Sequence, residues 1–483
     1  MTQPYTSLRH LHTAGAVLAA TLLLGLAAQD AHAAGFAAAR FGGEHGNPTE
    51  SNPSALYYNP GGLGLSDGHQ LTLDVTFAWR TASYDRPVDA ISGDTSGMSE
   101  DAIAANTGEG TLNNYIWAPM AAFTTDFGMD IGLVGGFAFY APFGGQAVWD
   151  KADPNAAFPG AEAGSQRWYT IDGTIRTLAY TAGLGYYIEP AKLSLGVTGS
   201  LLQSEINTVR ARNADGTDNV GNGEFQIEGR SLIDATSLDW NLGVGLLWNP
   251  MKDQLWVGLS YTSAPNLTGE QVLEGTLQNL LATGQPTVED IKLTSGLPDI
   301  IRLGARYRPS DKLELRLFGD YTRWSLLEQQ CLIGAAATDL DTACATNGTT
   351  GASTNPDKAN AVIQVLQRRW QDAFGLRLGG SYWVIPEVEL LLGGGFDSNA
   401  IPDENLEPAL FDMNKFTGSV GVRYEFLKNM GFMLTATEVF YLERDTTGAN
   451  TASTLDPPSR QPSSEGVYNQ NIFLVNANVQ VGF

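Results

Sequence analysis

Histidine is the side chain best suited to moving protons near neutral pH, and the sequence holds five. His10, His12 and His32 fall in an N-terminal leader, which leaves His45 and His69. A Ser–His hydrolase needs its imidazole beside the nucleophile, among strand ends or loops, and neither histidine stands in such a setting. The 52 Asp and Glu residues offer many carboxylates for an acid dyad, yet no spacing singles out a pair. Cys331 and Cys344 share one polar segment without a nearby His, which is half of a zinc site. In an oxidising compartment two such cysteines are expected to close a local disulfide. The residues therefore assign no catalytic group, no metal and no cofactor, and the chain reads as a non-enzyme.

Twenty-eight Lys and Arg against those acids give a net charge of −24. Phosphate contacts require clustered basic residues, so a nucleic-acid partner is excluded. The excess acid suits solvated loops. Arg9, His10 and His12, an apolar stretch from Ala14 to Ala28 and the small-residue site Ala31-His32-Ala33 read as a signal peptide cleaved after Ala33. The mature chain has no candidate membrane helix. Its longest uncharged stretch, Ile131 to Trp149, carries five Gly and Pro142, a composition costly inside a helix.

What positions the polar groups is a period-2 pattern. Phe473, Val475, Ala477, Val479, Val481 and Phe483 share one face, opposite Asn476, Asn478, Gln480 and Gly482. Leu313, Leu315, Leu317 and Tyr321 likewise oppose Glu314, Arg316, Asp320 and Thr322. Phe416, Val420, Val422, Tyr424 and Phe426 oppose Thr417, Ser419, Arg423 and Glu425. Alternation of this kind fits both a soluble sandwich and a barrel in lipid.

Connection lengths separate the two. Strands are predicted at 69–84, 114–127, 129–141, 167–187, 191–211, 224–248, 253–264, 290–308, 311–325, 368–384, 386–397, 412–427, 429–443 and 470–483. Tight links, such as Phe127-Gly128-Met129, Glu189-Pro190, Ile385-Pro386 and Lys428-Asn429, alternate with long polar ones. This is the pattern of an all-β, transmembrane, antiparallel up-and-down β-barrel of 14 strands, with periplasmic turns and extracellular loops. Trp240, Trp248, Trp256, Trp324, Trp370 and Trp383 are candidates for interfacial girdles. Residues 34–68 are rich in Gly and Pro, lack alternation and carry Leu56, Tyr57, Tyr58 and Leu63, as a plug inside the barrel would. The barrel proper is 69–483.

Two regions carry a recognisable motif. The first is Ala34-Gly35-Phe36 followed by Asn52-Pro53-Ser54-Ala55-Leu56-Tyr57-Tyr58-Asn59-Pro60-Gly61-Gly62-Leu63. It resembles the N-terminal hatch of the FadL/TodX family, outer-membrane transporters of long-chain fatty acids and aromatic hydrocarbons. Asn52 replaces the usual acid and Gly61 the usual Ala, a change expected to loosen the plug. The second region, from Arg369-Trp370-Gln371-Asp372-Ala373 through Phe396-Asp397 to Lys415-Phe416, is similar to the family's C-terminal strands, and Tyr140-Ala141-Pro142-Phe143-Gly144 to the element ending its third strand.

The resemblance implies passive uptake of a long-chain fatty acid or other hydrophobic small molecule. Loops capture it, the hatch rearranges, and the ligand leaves sideways near the third strand. Hatch residues are then Gly35, Phe36, Asn52, Pro53, Asn59, Pro60 and Gly61, and candidates for the lateral gate are Gly135, Gly136, Pro142 and Gly144. A capture groove is expected on an amphipathic helix from Glu270 to Ala282, through Val272, Leu273, Leu277, Leu280 and Leu281, with another helix from Lys358 to Arg368. Arg302, Arg306, Arg316, Arg377 and Arg423 fall on lumen faces, either to hold a ligand carboxylate or to pair with Glu314, Asp320 and Glu425. Expected partners are outer-membrane lipid and lipopolysaccharide, and the barrel-assembly machinery through Phe483; the family implies a monomer. A general hydrophilic porin and a structural or adhesive barrel are the competing readings.

Overall fold

A computed structural model describes residues 40–129, 131–153, 157–220, 228–281, 285–347, 352–357, 361–449 and 461–483. The leader, Gly35 and Phe36 lie outside the described residues.

Strand-forming alternation recurs along the chain as β1 (His69–Arg86), β2 (Gly108–Thr125), β3 (Leu133–Val148), β4 (Asp172–Ile188), β5 (Leu193–Arg212), β6 (Gly229–Met251) and β7 (Leu255–Thr262). It continues as β8 (Glu270–Leu280), β9 (Thr287–Gly296), β10 (Ile300–Ser310), β11 (Leu313–Thr322), β12 (Gln329–Gly334) and β13 (Val362–Gln367). The last six are β14 (Ala373–Ile385), β15 (Val388–Asp397), β16 (Lys415–Leu427), β17 (Met430–Tyr441), β18 (Arg444–Asp445) and β19 (Val467–Gly482).

Fourteen of these close a barrel in the order β1 to β7, β10, β11, β14 to β17 and β19, each antiparallel to its neighbours, and β19 returns to β1 with Gln70 opposite Gly482. Closure gives every strand of the wall a neighbour on both sides. The alternation read in the sequence is the alternation of the wall. Leu317, Leu378, Val420 and Phe473 point outward, whereas Asn476, Asn478, Glu314 and Ser419 are buried in the lumen. Short links gather at one end. The link from β2 to β3 contains a β-turn in which Met129 N donates to Asp126 O at 3.0 Å and Phe127 and Gly128 have φ of 59° and 66°, the positive values of a type I′ turn.

Four departures from the sequence reading have local causes. The predicted strand 290–308 is two strands, β9 and β10, interrupted at Leu297-Pro298-Asp299, where proline cannot donate to the ladder. The predicted strand 167–187 begins at Asp172, because Ser165–Trp168 forms a helical turn. Neither capture helix exists. Glu270–Leu280 is β8, paired with Arg230–Thr236 of β6 and with β9, and Val362–Gln367 is β13, paired with β12. Their apolar residues also suit strands, and pairing with the overhang of β6 decides between the two readings. Trp324 and Trp370 do not belong to a girdle. They pack on each other, with ring centroids 5.0 Å apart, in the apolar core beneath the long loops.

Above the barrel wall, β8, β9, β12 and β13 continue the sheet from β6 and bend back, so that Gln364 of β13 meets Arg210 of β5. Cys331 and Cys344 are joined in a disulfide within this extension, with Cα atoms 6.0 Å apart.

Candidate functional site

The residues ahead of β1 fill the lumen. Asn52 Oδ1 accepts from Ser54 N at 2.9 Å in an Asx turn just ahead of the helical turn Ala55–Tyr58, a bond that Asp makes equally well. Pro53 accepts at its carbonyl from Leu56 N. Asn59 sits at the joint to a second turn, Pro60–Leu65. Its Oδ1 accepts from Gly61 N at 2.9 Å, and its Nδ2 donates to Pro48 O at 2.7 Å and to Leu246 O of β6 at 2.9 Å. Leu56, Leu63 and Phe41 are buried with Met120, Val134 and Leu202 of the wall.

The fit is close because the facing wall is glycine. A Cβ on Gly196 would lie 2.0 Å from Pro60 O, and one on Gly258 2.1 Å from Pro48 O. Gly61 does not loosen the plug as expected. A Cβ there would lie 2.6 Å from the Leu246 backbone, so glycine permits the hatch to press on β6.

A cluster of charges ties the hatch to the opposite wall. Arg40 pairs with Glu44 and, at 3.0 Å, with Asp397 of β15. Arg377 of β14 donates to Glu44 at 3.1 Å, Asp320 at 2.5 Å and Asp397 at 2.6 Å. The other sequence-predicted arginines also have partners. Arg316 pairs with Glu314 at 2.7 Å and Glu389 at 3.2 Å, and Arg423 reaches Glu389 at 3.7 Å. Arg302 stacks on Tyr57 of the hatch and Arg306 on Trp256.

Between the hatch and the loops lies a cavity of about 240 Å³. Its walls are largely apolar, with Ala78, Ile206, Leu293, Phe411, Ile472 and Leu474 among them. Leu273 and Leu277 do not form an open groove. They are 1% and 0% exposed, packed on Ile206 and Leu293, while Leu280 faces outward at 47%. Val272 and Leu281 are half-buried. On the short-turn side of the hatch a second space of about 790 Å³ is lined by equal numbers of basic and acidic groups, with Arg306, Arg316, Glu389 and Arg423 among them. Its polar walls suit water rather than an apolar ligand.

The wall of the first cavity is interrupted between β2 and β3. Their ladder runs from Thr125 opposite Gly135 to Met120 opposite Tyr140 and stops. Backbone pairing resumes at the isolated bridge of Leu112 with Trp149, next to which the Asn114 side chain donates to Val148 O at 2.8 Å and accepts from Val148 N at 3.1 Å. On its other edge β3 has an irregularity between Tyr140 and Phe143, where Ala141 and Pro142 oppose the single residue Leu178 of β4. Pro142 thus stands at a bulge where the β2 ladder ends. Gly144 lies in the detached stretch, paired with Arg176 of β4, whereas Gly135 and Gly136 lie inside the paired part. A narrow space of about 30 Å³ connects this region to the hatch, between Tyr57, Pro60, Tyr140, Pro142 and Phe143.

The sequence profile of the outer membrane protein transport proteins (OMPP1/FadL/TodX) matches residues 14–478. The chain belongs to this family. A Neisseria meningitidis outer membrane protein is 22% identical to this FadL/TodX-family barrel over 446 residues, covering 86% of this chain and 88% of that one. Solved structures show the same fold. A FadL homologue of Pseudomonas aeruginosa superposes with a TM-score of 0.69 at 14% identity, covering 94% of this chain and 99% of that one. The toluene transporter TodX of P. putida gives 0.60 at 15% identity, with the same coverage. This FadL/TodX-family barrel is thus a bacterial outer-membrane transport protein and not an enzyme.

Proposed function

We propose that this chain is a passive channel for long-chain fatty acids or related hydrophobic small molecules, which reach the cavity beneath the loops and leave sideways between β2 and β3. The observation that carries the reading is the interrupted β2–β3 ladder beside the apolar cavity. Apolar solutes gain little from a water-filled pore, so a useful route offers apolar walls and an outlet into lipid. Leu273 and Leu277 pack behind Ile206 and Leu293 of the cavity wall, which favours capture at the cavity mouth over capture on an external helix. Movement of the hatch turns at Ala55–Tyr58 and Pro60–Leu65 would widen the narrow space at Pro142.

The test is uptake of radiolabelled oleate, with toluene in parallel, by cells with and without the protein and by cells carrying a deletion of Pro142. The deletion removes the extra residue of the bulge and lets β3 pair regularly with β4. Saturable uptake that the deletion abolishes, with the barrel still folded, supports lateral exit. Toluene uptake alone changes the substrate and keeps the route. Uptake of neither, together with large ion conductance in planar bilayers, would establish a porin.

A further inference from the structure

Pro119 and Pro142 stand where the β2–β3 ladder stops, next to Met120 on one strand and just past Tyr140 on the other. Neither has an N–H to give to a neighbouring strand. Beyond them, residues 113–119 of β2 run beside 141–148 of β3 without ladder pairing, as far as the bridge of Leu112 with Trp149. A stretch of wall so placed would ordinarily be held by β4 alone. Here two side chains stand in for the missing ladder.

The first is Asn114 of β2. A carboxamide carries a donor and an acceptor, as a peptide unit does, and Asn114 spends both on one residue. Its Nδ2 donates to Val148 O at 2.8 Å and its Oδ1 accepts from Val148 N at 3.1 Å. The second is Arg80 of β1, directly opposite Asn114 in the β1–β2 register. It reaches across the lumen face of β2 and donates from Nη1 to Gln146 O at 2.6 Å. Its Nε donates to Gln470 of β19 at 2.7 Å, and its guanidinium lies 4.8 Å over the Phe411 ring. Both side chains are buried, Asn114 at 6% exposed and Arg80 at 5%.

A ladder and a side-chain tie differ in how they open. Separating two paired strands strips a row of backbone groups of partners that lipid does not replace. Parting Asn114 and Arg80 from β3 breaks only their bonds to Val148 and Gln146, and β3 keeps its ladder with β4. The tied stretch begins at the bulge of Pro142, where β3 already departs from regular pairing. Arg80, Gly145, Gln146, Ala147 and Phe411 also line the cavity, so a ligand held there touches the tied stretch itself.

We propose that Asn114 and Arg80 form a latch that keeps the outlet between β2 and β3 narrow at rest and sets the rate at which ligand passes. The proposal rests on the channel reading above and adds the control of its exit. When the latch parts, residues 143–148 bend away from β2 together with β4, and the gap beside Ala118 and Gly144 widens. Release of these side chains restores the closed wall without any change of strand register.

The experiment measures uptake of radiolabelled oleate and of toluene by cells carrying the wild type, Asn114→Ala, Asn114→Asp or Arg80→Gln. Hydrogen exchange on the purified barrels follows the backbone of residues 143–149, and thermal unfolding checks that each is folded. Asn114→Asp keeps the acceptor for Val148 N and loses the donor to Val148 O, so it serves where the alanine variant fails to assemble. The expected result is faster exchange in 143–149 together with uptake raised on the order of fivefold in Asn114→Ala and Arg80→Gln, and by less in Asn114→Asp. Unchanged or slower uptake by folded variants overturns the latch and leaves the channel reading in place. Unchanged exchange in 143–149 also overturns it, since the two side chains then do not hold this stretch. Uptake of neither probe by cells carrying a folded wild-type barrel removes the channel reading itself.

Discussion

The side-chain amide of Asn59 donates to the backbone carbonyl of Leu246 at 2.9 Å, joining the hatch to the barrel wall through one fully buried residue. The same nitrogen holds Pro48 O and the same side chain caps Gly61 N. Asn59→Ala takes their side-chain partner from the Pro48 carbonyl and the Gly61 N–H, at about 1–3 kcal/mol for each buried group left bare, and removes the tie to Leu246 O. The hatch of this variant is expected to undock more often. Single-channel recordings should show open events that the wild type lacks, and a silent variant would mean that Asn59 does not hold the plug.

Backbone-to-backbone approach makes a sharper test than a lost hydrogen bond. Gly196→Ala sets a methyl group 2.0 Å from Pro60 O, and Gly61→Ala sets one 2.6 Å from the Leu246 backbone. Neither clash can be relieved by turning a side chain. Both variants are expected to fold as barrels, since β5 and β6 keep their ladder, while the hatch is displaced. Limited proteolysis of the folded barrel should cut within 40–68 in the variants and spare the wild type.

Arg377 faces three carboxylates, Glu44, Asp320 and Asp397. Arg377→Ala leaves Glu44 and Asp397 with Arg40 and takes away the guanidinium that Asp320 pairs with, and removing one partner of a buried ionic cluster costs on the order of 3–5 kcal/mol. Asp397 accepts from Arg377 at Oδ1 and from Arg40 at Oδ2; Asp397→Asn keeps one of these acceptors and leaves both guanidiniums with other acids, so it is expected to cost less. Thermal unfolding in detergent should rank the proteins wild type, Asp397→Asn, Arg377→Ala in falling stability. The reverse order for the two variants would show that the acids, not the guanidinium, set the balance.

The barrel was legible because period-2 alternation and the short–long rhythm of links both derive from a wall with one face in lipid and turns at one end. Each of the 14 wall strands is found, and the breaks at Pro298 and Ser165–Trp168 moved only their ends. The plug was legible in Leu56, Tyr57 and Leu63, apolar residues in a segment without strand periodicity. The loop sheet was not. Residues such as Leu273, Leu277 and Leu280 recur at spacings that suit a helix as well as a strand, and only the unpaired overhang of β6 makes β8 a strand.

His45 offers a handle on hatch docking through pH. It is buried against Gly379 and Gly393 of the wall, with neither ring nitrogen hydrogen-bonded among the described residues. Burial, seconded by the Arg316 guanidinium and only partly opposed by Glu389, pushes its pKa down from 6.5 to about 3; Arg423 acts in the same direction as Arg316. A released hatch exposes the imidazole to water and restores the ordinary value. Between those two values the released state binds the extra proton, so docking weakens as pH falls through that window and is unaffected above it. The slope for one such group is about 1.4 kcal/mol per pH unit. Carboxylates elsewhere also titrate on the acid side, so the informative quantity is the difference between the wild type and His45→Gln. That difference in thermal midpoint should be constant above pH 7 and should shift against the wild type as the pH is lowered towards 4.5. Parallel curves across the whole range would mean that His45 takes up its proton alike in the docked and released states, with Glu389 balancing burial and the two guanidiniums.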